Sequence, residues 1–309
     1  MGKAGYIFFV LSFVLAGLIL SSCHSDKKSL LAQIESEEKV IDSGGSVTDE
    51  DLWHLSDLYR LFLDKWPGDK ERYCRFTYRK AGVMARLDML DSAKLLLQES
   101  IFSCADIRDV HPFALDLLIA VLSKDERNSY LASAIRRGIS DRYPAFYNGS
   151  ITRSPGGGDV SLYQMWYQAE MHFDTVSTIP PRSAMQRHIE TAQALSLVYP
   201  RDEETVPEAM YKAARYAYAM GEYKVGVELL EWIKEHHPKV EIAPSAIVLL
   251  GFLYENELND LTKAQRSYEF FLNKYPKHPM KDQVEASIQH LGKSPDELIE
   301  IFRAREQEE

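Results

Sequence analysis

LYRLFLDKWPGDK (Leu58–Lys70) and SYEFFLNKYPKHP (Ser267–Pro279) begin 209 residues apart, yet Tyr, Phe, Leu, Lys and Pro occur in both in the same order and at the same spacing. An apolar run closed by an aromatic residue and a proline is a helix ending, because proline lacks the N–H and its ring clashes with the preceding turn. The same ending, an aromatic residue or His followed by Pro, recurs as DKWP at Pro67, DRYP at Pro144, LVYP at Pro200, EHHP at Pro238 and NKYP at Pro276. Pro200, Pro238 and Pro276 are 38 residues apart each time. Pro67 to Pro144 is 77 residues, two such units with the proline missing near Ala105, and Pro144 to Pro200 is 56, one unit plus an insertion of about eighteen. A period in this range marks an array of repeated supersecondary units.

Each period has internal order. Twelve residues before the closing positions stand Leu55, Ala93, Ala132, His188, Gly226 and Ala264, and eight before stand Tyr59, Leu97, Arg136, Ala192, Leu230 and Tyr268. Four of the first six are small, and His188 and Arg136 fit core positions poorly. The clearest copies are YKAARYAYAMGEYKVGVELLEWIKEHHP (Tyr211–Pro238) and VLLGFLYENELNDLTKAQRSYEFFLNKYP (Val248–Pro276). They resemble the tetratricopeptide repeat, in which a small residue on the second helix admits close approach of the first, a large residue fills the space between them, and Pro ends the hairpin. Leu250, Gly251, Tyr254, Ala264, Tyr268 and Pro276 match that pattern, with a turn one residue longer than usual. The resemblance is strong from Val206 to Pro276 and degenerate before it. It implies an all-α fold, a solenoid of helical hairpins; an irregular helical bundle with accidental Pro spacing is the alternative, and no strand pattern competes with either.

The expected organisation follows from these landmarks. Residues 1–22 are a signal peptide, 23–46 a tether and first helix, 47–144 degenerate hairpins, 145–160 a Gly-rich loop insertion, 161–279 repeats, and 280–309 capping helices. The opening MGKAGYIFFVLSFVLAGLILSSC has one Lys, an apolar run from Tyr6 to Leu20 and then small residues. That run is shorter than the roughly twenty residues a membrane-spanning helix needs, and the layout is that of a secretory signal. LSSC at Leu20–Cys23 resembles the bacterial lipobox, which implies cleavage before Cys23 and a lipid on it. Several acyl chains hold a protein on a membrane that one chain would leave reversibly.

In MKDQVEASIQHLGKSPDELIEIFRAREQEE (Met280–Glu309) one helix stops at Gly292, and Ser294, Pro295 and Glu297 read as N-cap, N1 and N3 of a final one. FLNKYPKHPMKDQVEASIQHLGKSPDEL (Phe271–Leu298) resembles the C-terminal segment of tetratricopeptide lipoproteins of Bacteroidota-type bacteria, which implies a cell-envelope setting. Cys74 and Cys104 lie 30 residues apart within one unit. In a hairpin of this family the start of the first helix and the end of the second lie side by side, and an oxidising compartment permits a disulfide; two buried thiols are the alternative.

Composition narrows the functional classes. The chain has 309 residues, 45% hydrophobic and 27% charged, with 36 Lys+Arg against 46 Asp+Glu and a net charge of −10. That balance argues against nucleic acid or an anionic membrane surface as the general partner, and no basic run overturns it. AFYNGSITRSPGGGDV (Ala145–Val160) lacks the GxxxxGK[ST] spacing of a phosphate loop. No HExxH, CxxC, GxSxG or DxDxDG motif is present, so neither an enzyme nor a metal protein is expected, and no cofactor beyond the lipid on Cys23. The expected activity is binding: a lipid-anchored adaptor at the outer membrane, periplasmic or surface-facing, holding other envelope proteins or peptides along the concave face of the solenoid. It has a distant likeness to the helical-repeat lipoprotein of the outer-membrane β-barrel assembly machine. The groove-facing candidates on the two clearest repeats are Tyr211, Arg215, Tyr218, Phe252 and Glu255, with packing of the Tyr side chains on the neighbouring hairpin as the alternative. The alternative is a surface glycan-capturing lipoprotein of the starch-utilisation type, for which Phe146, Tyr147 and the region of Trp166 would supply stacking aromatics.

Overall fold

The structure is a computed structural model that describes residues 26–43, 46–147, 160–174, 180–293 and Glu297, with only the backbone of 147 and 171–174. The signal segment with Cys23, most of the Gly-rich loop, and Ser294 and Pro295 lie outside the described residues. Among these residues every regular element is helical. None of the helices among the described residues is long and apolar enough to cross a membrane.

Two compact units divide between Lys124 and Asp125, inside the segment read as degenerate hairpins. The first holds α1 (residues 26–42), α2 (Asp49–Lys65), α3 (Lys70–Arg86), α4 (Leu90–Ser103) and α5 (His111–Leu122). Here α2 packs on α3, α3 on α4 and α4 on α5. Local chemistry starts these helices. Thr48 and Asp51 form a reciprocal capping box at α2, and the Asp69 carboxylate accepts from Arg72 N–H at α3. Leu30 and Ile34 bury one side of α1, and Glu38 on the same helix accepts from the Tyr59 hydroxyl at 2.6 Å and pairs with Arg79 at 2.5 Å.

The second unit holds α6 (Ser129–Arg142), the short α7 (Pro144–Tyr147), α8 (Leu162–Asp174), α9 (Arg182–Val198), α10 (Thr205–Ala219), α11 (Tyr223–His236), α12 (Ala243–Phe252), α13 (Leu261–Lys274) and α14 (Lys281–His290). Here α6 and α8 both pack on α9, and from α9 to α14 each helix packs on its successor. From α9 to α14 the turns between packed neighbours are short, so successive helices there run antiparallel.

The repeated ending seen in the sequence has one geometry. In α2, α4, α6, α9, α11 and α13 the residue before the closing position is the C-cap: Trp66, Cys104, Tyr143, Tyr199, His237 and Tyr275. Each donates its N–H to the carbonyl four residues earlier, on Phe62, Ser100, Ile139, Leu195, Ile233 and Phe271. Each carbonyl then accepts from the N–H three residues on, at Asp69, Ile107, Phe146, Asp202, Val240 and His278. Proline excludes the helical region for the residue before it, and ψ is 56°, 59°, 53°, 48° and 57° at the five C-caps that precede Pro. Cys104 precedes Ala105, and its ψ stays at 21°.

The positions inside each unit are equally regular. Leu55, Ala93, Ala132, His188, Gly226 and Ala264 are all buried. Tyr59, Leu97, Ala192, Leu230 and Tyr268 are buried as well, leaving Arg136 half-buried in the series. Three hairpin turns carry a left-handed residue seventeen positions before the closing one: Asp88 (φ 58°), Gly221 (φ 75°) and Asn259 (φ 51°). Such a residue lets the helix end in a Schellman turn, closed by Met89 N–H to Met84 O at 2.9 Å and by Glu222 N–H to Ala217 O at 2.8 Å. At Asn259 the equivalent bond reaches one residue further, from Asp260 N–H to Tyr254 O at 2.7 Å. The extra residue expected in this turn is instead absorbed by a π-helical turn at Leu253–Glu257 that continues α12. The turn itself keeps its form.

Candidate binding face on α10 and α12

Helix α10 owes its surface to its alanines. Ala209, Ala213, Ala214 and Ala217 are buried with Val206 and Met210, so α10 lies close to its neighbours and keeps its long side chains for its other faces. Arg215 and Tyr218 are exposed, while Tyr211, Lys212 and Tyr216 are half-buried. At helical spacing these residues form two edges and a centre.

One edge faces α8 and α9. Lys212 pairs with Glu170 and lies over the Trp166 ring at 5.5 Å, and Tyr216 meets the His188 ring edge-on at 4.9 Å. His188, a poor fit by residue type, is buried beside Glu170, whose Oε1 is 3.3 Å from its Nε2. Burial, aided by the Lys212 charge, pushes the His188 pKa down to about 4. Glu170 would act oppositely, but its other oxygen already faces the Lys212 ammonium. The imidazole is therefore neutral near pH 7.

The other edge faces α12. Tyr218 packs edge-on against Phe252 with ring centroids 6.1 Å apart and lies 5.9 Å from the Tyr223 ring. Both Tyr218 and Phe252 remain 38% exposed in this contact, so packing on the neighbouring hairpin and display to solvent coexist. Tyr223 also bonds Glu257, which raises its hydroxyl pKa. Between the edges Arg215 is exposed and forms no ion pair among the described residues.

Of the five expected groove residues, Tyr218 and Phe252 touch, Arg215 is exposed about one turn before Tyr218, and Tyr211 is half-buried one turn before Arg215. Glu255 is different, because it accepts a 2.9 Å hydrogen bond from Tyr268, so its carboxylate is committed within the hairpin. Burial and that carboxylate raise the Tyr268 hydroxyl pKa and keep it protonated. Tyr223 and Tyr216 were not singled out from sequence. Tyr223 follows the GE turn at Gly221 and was legible as a hairpin-turn aromatic, but Tyr216 depends on where α9 passes.

Elsewhere, Cys74 on α3 and Cys104 at the end of α4 form a disulfide with Cα atoms 5.8 Å apart, packed with Val110, Tyr78 and Ile107. The Trp166 indole, named for glycan stacking, is 5% exposed beneath Lys212. Phe146 is half-buried. Among the described residues no three His, Cys, Asp or Glu side chains are placed to hold a metal ion. A scan against models of known protein families matches none, and a search of the curated proteins finds no match.

Proposed function

We propose that the chain is a lipid-anchored adaptor of the bacterial cell envelope, a tetratricopeptide-type solenoid held at the outer membrane through Cys23, that binds other envelope proteins on the α10–α12 face. The observation that carries this reading is the exposed Tyr218–Phe252 contact beside Arg215, which is exposed and has no ion pair among the described residues. Tyr and Arg are the side chains that contribute most at protein interfaces, and helix packing does not require them there. The six shared helix endings support the repeat class. The glycan-capturing reading gains no such support, since Trp166 lies under Lys212.

Arg215→Glu combined with Tyr218→Ala tests the face. Both side chains are exposed, so stability should change by less than about 1 kcal/mol, while recovery of envelope proteins from detergent extracts is lost. A double variant that folds and recovers every partner of the wild type refutes the assignment.

A further inference from the structure

Three helix ends meet at one pole of the first unit. Lys27, in the first turn of α1, places its ammonium 2.8 Å from Asp69, the N-cap of α3, and over the Phe62 and Trp66 rings at the end of α2, at 5.6 and 5.9 Å. The start of α1, the end of α2 and the start of α3 therefore share this surface.

The charges there are unevenly matched. Asp69 is held by Lys27 and by Arg72 at 2.9 Å, Glu71 by Arg75 at 3.3 Å, and Asp64 lies 3.9 Å from Arg60, whose closer partner is Asp57 at 3.1 Å. Lys28, Lys65 and Lys70 are exposed, each in the first or last turn of its helix, and none makes an ion pair among the described residues. Lys65 lies over the Trp66 ring, at 5.9 Å. Asp26 is the exposed acid left without a described partner at this pole. In a chain of net charge −10, this pole presents more free lysines than free acids.

Cys23 stands three residues before Asp26. Three residues of extended chain span at most about 11 Å. A lipid on Cys23 would therefore hold this pole, and no other part of the first unit so strictly, within that distance of the bilayer.

We infer that the Lys28–Lys65–Lys70 pole is a second membrane contact, docking on the anionic phosphates of the leaflet that holds the anchor. The inference rests on the acylation of Cys23. Lysine ammonium groups at an anionic surface gain attraction that falls off within a Debye length, and an anchor of three residues keeps them inside it. The contact would set which pole of the first unit faces the membrane.

The test uses the acylated full chain reconstituted into vesicles of phosphatidylcholine alone or mixed with phosphatidylglycerol. Flotation reads the anchor, and amine-reactive footprinting with mass spectrometry reads the lysines. On the anionic vesicles Lys28, Lys65 and Lys70 should become less reactive, roughly fivefold for each lysine engaged, with high salt restoring them. Lys28→Glu, Lys65→Glu and Lys70→Glu together should leave flotation intact and, with an amine-free probe on Ser29→Cys, abolish the response to anionic lipid seen with that probe in the parent. A chain that fails to float overturns the anchor and this contact with it. A chain that floats with the same lysine reactivity on both vesicle types overturns this contact alone.

Discussion

The end of α4 in the first unit and the end of α13 in the second have the same hydrogen bonds and different chemistry. At α13, Pro276 drives Tyr275 out of the helical region, and the Tyr275 hydroxyl crosses to the Pro238 carbonyl at 2.7 Å, tying one hairpin end to the preceding one. At α4 neither device exists. Ala105 imposes no backbone restriction, and the residue in the aromatic position is Cys104, joined to Cys74 on the partner helix. A helix ending needs its chain turned and its last residues held. Proline with an aromatic does this by steric exclusion and packing, whereas the disulfide does it covalently.

The largest expected effect comes from removing the covalent device. For a sequence separation of 30 the loop-entropy account assigns the disulfide about 3 to 4 kcal/mol, so Cys74→Ala with Cys104→Ala should lower stability by that order in urea unfolding. Amide exchange at Ile107 and Val110, whose N–H groups close the turn after α4, should rise more than at His278 after α13. Equal changes at both turns would dissolve the distinction.

His188 occupies the position that is Ala93, Ala132, Gly226 and Ala264 in other copies, and it brings a titration with it. Its pKa is about 4 in the fold against an ordinary 6.5. The unfolded chain thus binds the proton more tightly, and stability present above pH 6.5 is lost as pH falls through that window toward 4. The loss is on the order of 3 kcal/mol at most. His188→Gln should flatten the stability profile between these values relative to wild type. Parallel profiles would show that the imidazole does not titrate differently in the fold.

Ala264 is buried at 0% where α13 meets its neighbours. Ala264→Leu overpacks that contact and should cost about 1 to 3 kcal/mol, seen as a lower thermal midpoint with the helical circular dichroism spectrum retained. An unchanged midpoint would mean that the small residue is not what permits the close approach. The smallest effect is Pro276→Ala, for which losing the proline's restriction of the unfolded chain costs about 0.4 to 1 kcal/mol. Because the Tyr275 contact survives, this substitution should matter much less than loss of the disulfide; a cost as large would make proline, not packing, the holder of the α13 end.

Much of this could be read along the chain, for reasons that are local. Proline acts on its immediate neighbours, so the five Pro-terminated endings were visible in the sequence, and the spacing of small and large residues marked buried positions such as Ala264 and Tyr268. The all-helical fold is written in the same periodicity. The missing proline at Ala105 was equally visible, and Cys74 and Cys104 offered a disulfide there as one of two readings; which of the two holds that end was decided by the packing of α3 against α4.

Other features emerged only when helices packed. An extra residue before Asn259 had two outlets, a longer turn or a wider helix. Asn259 keeps the left-handed turn of Gly221, so the helix widened into the π turn, and Glu255 came to face Tyr268. His188 looked misplaced by residue type because the groups around it, Glu170, Lys212 and Tyr216, come from helices whose register no local spacing states. Short-range sterics choose where a helix stops and which side it buries. Which side chains from different helices meet depends on interhelical approach, and that is decided by the summed packing of all of them.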